Sequence, residues 1–259
     1  MKDDLTIALF QTNLIWEHPE QNRINLGKKI STLTKPVDVI VLPEMFTSGF
    51  TMNASSVAES MNGTTVSWMQ DLAKQTYAAI TGSIVIKEDD KYYNRLLFVH
   101  PDGRIDCYNK KHTFTLAGEH EIYQSGNSIS IINYKGWKIK PLICYDLRFP
   151  VWSRNVEGYD LLLYVANWPK VRINAWNALL KARAIENMSY CVGVNRVGLD
   201  ANNHEYSGHS AIYDTLGERL DTTPNDKEAV EIVTLHKSHI ETYRNKLGFL
   251  NDKDAFSLK

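Results

Sequence analysis

Leu161-Leu162-Leu163-Tyr164-Val165-Ala166 carries no charge and no alternation of polar with apolar positions. A strand with one wet face alternates, whereas one covered on both faces reads as a continuous apolar run. Gly158 and Pro169 punctuate the run. Beyond them residues 171–188 take up a helical period, with Ile173, Trp176, Leu179, Leu180 and Ala184 on one stripe. A buried strand that feeds an amphipathic helix is the repeating unit of an α/β fold. The same reading places further strands at residues 5–11, 37–42, 79–86, 96–100, 128–134, 137–144 and 190–195, and helices at 19–33 and 65–77. Pro101-Asp102-Gly103 and Lys135-Gly136 are hairpin signals, so the sheets are mixed. Towards the end, 210–214 and 228–235, on either side of a Gly217 turn, predict a closing pair of strands. Ser238-His239-Ile240-Glu241 reads as a capping box that opens a last helix.

No repeat, linker or low-complexity segment divides the 259 residues, which predicts a single domain over 1–259. Hydrophobic residues make up 43%, enough for a sizeable core. The 29 basic and 30 acidic residues leave a formal net charge of −1, which gives no general field for nucleic acid or an anionic lipid surface. A charged ligand has to be recognised locally. No apolar run approaches the ~18 residues of a membrane span. The start, MKDDLTIALFQTN, lacks the cleavage site of a signal peptide. Cys107, Cys144 and Cys191 are an odd number without close spacing, as expected of free thiols in a reducing cytoplasm.

Three chemically capable residues each follow an apolar strand: Glu44 after Val39-Ile40-Val41-Leu42-Pro43, Lys110 in Tyr108-Asn109-Lys110-Lys111-His112, and Cys144 after Pro141-Leu142-Ile143. Singly, each has an ordinary reading: a loop acid or helix cap, a solvated basic pair, a buried structural thiol. Together they supply base, cation and thiol nucleophile, the set needed to hydrolyse an amide or nitrile through an acyl-enzyme. A turn from strand into helix is also where backbone N–H groups lower a thiol pKa. His112, Glu119 and His120 lack the spacing of a zinc site, so no metal is expected. Trp68, Trp137 and Trp176 read as core fillers, while Trp168 stands at a strand end near Arg172.

Val41-Leu42-Pro43-Glu44-Met45-Phe46 with Gly49-Phe50, Tyr108 to His112, Gly118-Glu119, and Ile143-Cys144-Tyr145-Asp146-Leu147-Arg148-Phe149-Pro150 resemble, in order, the motifs of the nitrilase superfamily of carbon–nitrogen hydrolases. The resemblance implies an α-β-β-α sandwich of two mixed sheets that commonly dimerises. It implies Glu44 as base, Lys110 and the N–H of Tyr145 as oxyanion donors, Cys144 as nucleophile and Glu119 as a second acid, with no cofactor. Ala166-Asn167-Trp168-Pro169 with Arg172 and Trp176, Ala182 to Asn187, and Gly193 to Gly198 are most similar to the omega-amidase group. Its substrates are 2-oxo-dicarboxylate monoamides, 2-oxoglutaramate and 2-oxosuccinamate. Other amidases of the superfamily (deaminated-glutathione amidase, N-carbamoyl amidohydrolase) and true nitrilases are the neighbouring alternatives. An idle scaffold of the same fold would have no use for the Glu44, Lys110 and Cys144 set. Arg172 is expected to anchor the substrate carboxylate and Trp168 to wall its chain, with Asn167, Phe50 and His112 beside them. A homodimer is expected, with the Trp176 to Asn187 helix and the aromatic tail 248–259 in the contact.

Overall fold

Successive side chains of Asp4–Gln11 (β1) enter two different cores: Leu5, Ile7 and Leu9 one, Ala8 and Phe10 the other. That is the period-two alternation of a strand buried on both faces. The computed structural model describes residues 3–258; Met1, Lys2 and Lys259, at the edges of the expected domain and tail, lie outside the described residues. In the first sheet β1 is joined by Val39–Val41 (β2), Ala79–Glu88 (β3), Lys91–Val99 (β4) and Ile105–Asn109 (β5). The second sheet uses Ile132–Tyr134 (β6), Trp137–Ile143 (β7), Leu161–Ala166 (β8) and Tyr190–Asn195 (β9). Val197–Leu199 (β10) and Glu205–Ser207 (β11) form a separate ribbon. Ala211–Tyr213 (β12) and Ala229–His236 (β13) complete the larger sheets.

Both sheets are mixed. The first runs β13-β1-β2-β3-β4-β5, with β1, β2 and β3 parallel; the second runs β12-β9-β8-β7-β6, with β7, β8 and β9 parallel. Helices Pro19–Ser31 and Thr64–Thr76 cover the outer face of the first sheet through Leu26, Ile30, Val66, Met69 and Ala73. Helix Ile173–Asn187 covers the second through Trp176, Leu180 and Ala184. The inner faces meet in one core, where Leu9, Phe98, Ile139 and Leu163 are wholly or almost wholly buried. The architecture is therefore the expected α-β-β-α sandwich, and truncating one such core leucine costs ~2–5 kcal/mol.

Three expectations fail. The last two strands do not pair with each other: β12 joins β9 in the second sheet and β13 joins β1 in the first. Sequence neighbours usually pair locally, but here the two sheet edges compete and each takes one strand. Nor does Ser238 cap the final helix, Lys237–Leu247, which begins one residue earlier with His236 at its N-cap and no side-chain cap bond. The expected helix at 171–188 is also divided, its first turn being the 3-10 helix Lys170–Arg172.

Candidate active site

Glu44 sits on a turn held down by its neighbouring strand. Leu42 N–H donates to Thr81 O (2.8 Å), Phe46 N–H to Ser83 O (3.1 Å) and Met45 N–H to Ser83 Oγ (2.8 Å). Gly82 lies beneath, where a Cβ would meet the Phe46 ring at 2.8 Å and Leu42 Cβ at 2.9 Å. The close approach thus depends on glycine. Met45, next to Glu44, takes a φ of +41°.

Lys110 follows edge strand β5, its N–H donating to Asn94 O at 3.0 Å. Its ammonium is 1% exposed and donates to Glu44 Oε1 at 2.9 Å and to both oxygens of Glu119 at 3.0 and 2.9 Å. Asn94 Nδ2 donates to Glu44 Oε1 at 2.8 Å and to Glu119 Oε1 at 3.3 Å, tying the two carboxylates together. Glu119 is also held by the N–H of Phe114 at 2.5 Å. Burial works against the Lys110 charge, but Glu119 and then Glu44 more than offset it, so the ammonium stays protonated. Burial likewise raises the Glu119 carboxyl above the ordinary range, with Lys110 pulling the other way.

Cys144 comes from the second sheet, at the end of β7, with a φ of +45°. A cysteine held there costs on the order of 1–3 kcal/mol and persists only where its surroundings enforce it. Asp146 enforces it: one carboxylate oxygen accepts the N–H of Ile143 (3.0 Å) and the Tyr108 hydroxyl (2.8 Å), the other the N–H (2.9 Å) and Nδ1 (2.7 Å) of His112. The two sheets are thereby joined directly behind the thiol. The thiol pKa is not lowered, contrary to the expectation for a strand-to-helix turn. Burial first, then Glu44, push it well above the usual thiol range, and Lys110 compensates only in part. The resting group is therefore a thiol.

Of these groups Lys110 and Cys144 open on a cavity of about 600 Å³, with Glu44 and Glu119 buried behind them. Phe50, Phe114, Tyr145, Trp168, Arg148 and Arg172 are among its walls. Residues 6–245 match the family profile described as carbon-nitrogen hydrolase. The chain belongs to that family. It is a hydrolase of carbon–nitrogen bonds. Omega-amidase YafV of Escherichia coli K12 is 43% identical over 254 residues, 98% of each chain. A 2-oxoglutaramate amidase of Bacillus subtilis strain 168 is 34% identical over 220 residues, 83% of this chain and 85% of that one. Among solved structures, the CN-hydrolase superfamily protein XC1258 of Xanthomonas campestris superposes with a TM-score of 0.96 at 40% identity, covering 100% of both chains.

In this hydrolase Glu44, Lys110, Glu119 and Cys144 converge from four separated segments, and Tyr145 follows the thiol at the cavity wall. Lys111 points elsewhere, its ammonium 5.3 Å from the centre of the Trp152 ring. Three of the expected substrate residues need correction or refinement. His112 is absent from the cavity wall; it stacks on Phe149 (ring centroids 3.7 Å apart, planes 5° apart) and braces Asp146. Asn167 lines the cavity but spends its backbone N–H and its side-chain amide on Glu44. Phe50 faces Lys110, the ammonium 5.1 Å from its ring centre. Trp168 and Arg172 are linked, Trp168 Nε1 donating to Arg172 O at 2.9 Å, and both line the cavity. His112, Glu119 and His120 do not converge, and among the described residues no group of three His, Cys, Asp or Glu is placed to hold a metal. No helix of the described residues is long and apolar enough to cross a membrane.

Asn94, Asp146 and Asn195, which holds Trp168 N–H at 2.7 Å, escape the sequence reading. The available signal is one of type and position: Asn195 ends an otherwise apolar strand, where its amide must find buried partners, whereas Asn94, beside Arg95 in β4, carries no such signal.

Proposed function

We propose that the hydrolase is an omega-amidase acting on 2-oxo-dicarboxylate monoamides, 2-oxoglutaramate and 2-oxosuccinamate. The observation that carries this reading is a buried carboxylate–ammonium–thiol cluster at the base of a cavity whose wall holds the Arg172 guanidinium over the Phe114 ring, 5.1 Å from its centre. A neutral amide fits the first group and a carboxylate the second. The omega-amidase and 2-oxoglutaramate amidase names of the relatives support the same class.

Glu44 accepts the Cys144 proton as sulfur attacks the amide carbon. Lys110 and the Tyr145 N–H receive the negative oxygen; a donor of this kind is worth ~2.7–4 kcal/mol. The C–N bond breaks as the carboxyl proton passes to nitrogen, releasing ammonia and leaving a thioester. Glu44 then takes a proton from water, whose oxygen displaces sulfur to give the acid, and hands that proton to the departing thiolate. Glu119 fixes Lys110 throughout. Neither metal nor organic cofactor enters this sequence. The working form is a cytoplasmic homodimer.

Ammonia release from 2-oxoglutaramate tests the reading. Activity in the parent, none in Cys144→Ala, and a KM raised ~10-fold in Arg172→Met are expected, the last corresponding to ~1.4 kcal/mol. Efficient turnover of nitriles or N-carbamoyl amino acids with none of the oxo-amide would favour the neighbouring branches instead.

A further inference from the structure

Four residues beyond the nucleophile, Arg148 closes the 3-10 turn Cys144–Arg148. Its guanidinium lies over the Trp168 ring, 4.9 Å from the centre. Arg172 lies over the Phe114 ring, and both arginines line the catalytic cavity. Among the described residues neither guanidinium is in an ion pair or donates a hydrogen bond. Exposed arginines usually pair with a carboxylate or wave in solvent; two that share one cavity, each laid on an aromatic face and neither neutralised, are placed differently. A guanidinium on a ring keeps its N–H edges free for a carboxylate fork.

The other charged groups at the cavity are already committed. Asp200 accepts from Asn202 N–H, His204 N–H and the Tyr206 hydroxyl, and His204 Nδ1 lies 3.3 Å from it; Glu17 accepts from Thr51 Oγ1 and Asn53 Nδ2. At the catalytic end two carboxylates face one ammonium, so no surplus positive charge draws an anion there. The positive charge left uncommitted at the cavity is that of the two arginines.

Resting on the omega-amidase reading, we propose that Arg148 is a second carboxylate-binding cation, and that Arg148 and Arg172 together select an ω-amide acid and set its direction. The acid end lies between the two guanidiniums and the uncharged amide end reaches Cys144. The reversed pose would bring a carboxylate against Glu44 and Glu119 and leave both arginines unpaired, a double penalty that excludes unproductive binding.

The test measures binding of 2-oxoglutarate, with pentanamide as the uncharged control, to Cys144→Ala and to the same protein carrying Arg148→Gln or Arg148→Lys. Loss of ~10-fold or more for 2-oxoglutarate in Arg148→Gln, a smaller loss in Arg148→Lys, and less than ~2-fold change for pentanamide are expected. Equal losses for both ligands, or none for either, would overturn the role of Arg148. The two claims separate cleanly: ammonia release by the parent enzyme judges the omega-amidase reading, while these affinities judge the arginine pair without turnover.

Discussion

Asn167 grips Glu44 from both sides, its backbone N–H on Oε2 at 2.7 Å and its side-chain amide on the Glu44 carbonyl at 2.6 Å. The carboxylate that works on a thiol from the second sheet is thus aimed by a residue of that same sheet. Asn167→Ala removes one of these two bonds, leaving the carbonyl without its donor. We expect kcat to fall ~10-fold or more with KM little changed, since aim rather than substrate contact is lost. A rise in KM at constant kcat would make Asn167 a substrate ligand instead.

The adjacent lysines give a sharper contrast. Lys110→Met should lose ~100-fold or more in activity, while Lys111→Met, which loses only a stack on Trp152, should keep most of it. Lys110→Met also strands two buried carboxylates without their counter-ion, a loss of ~3–5 kcal/mol near neutral pH. The Glu119 carboxyl, which burial already raises, then takes up its proton more readily folded than unfolded, so the deficit relative to the parent shrinks as pH falls towards 5. Thermal melting at a series of pH values reads it.

Alkylation of Cys144 reports its protonation. Because burial and then Glu44 raise the thiol while Lys110 lowers it, the rate with iodoacetamide should still be climbing above pH 9 in the parent. Glu44→Gln should shift the profile to lower pH and Lys110→Met to higher pH. Opposite shifts would mean that the field at sulfur has been assigned the wrong sign.

The dimer expected from the tail is open to light scattering. Phe249, Phe256 and Leu258 are 58, 42 and 47% exposed, and Leu258 borders a recess shared with Trp152 and Phe149. Trp176, however, is wholly buried against its own second sheet, so only the outer side of that helix, with Ile185 44% exposed, is left for a partner. We expect ~60 kDa at micromolar concentration and ~30 kDa after removal of residues 249–259.

Much of this was legible before any coordinates. Glu44 and Cys144 stand out because each follows an apolar run, Lys110 only through its company in Tyr108 to His112, since the strand before it is half polar; Leu161–Ala166 declares a strand covered on both faces because nothing in it wants water. What stays hidden is whatever depends on partners far away in sequence. Nothing near His112 indicates that its ring belongs to Asp146, 34 positions on. A thiol pKa depends on how completely two sheets enclose it, and local turn chemistry points the other way. Strand pairing fails for the same reason: β12 and β13 are neighbours in sequence, yet each answers to an edge elsewhere.

That last edge bears on how the protein is made. Asp4 pairs with His236, and β13 runs along the full length of β1. During synthesis the nucleophile leaves the ribosome long before the strand that completes the sheet carrying its base. A nascent chain therefore waits with the first strand's edge uncovered, and such long-range closure is slow. A thiol in that interval lacks its finished enclosure, so the acyl-transfer machinery comes into being only as the last strand is laid down, and a chain cut short before residue 229 would be born without it.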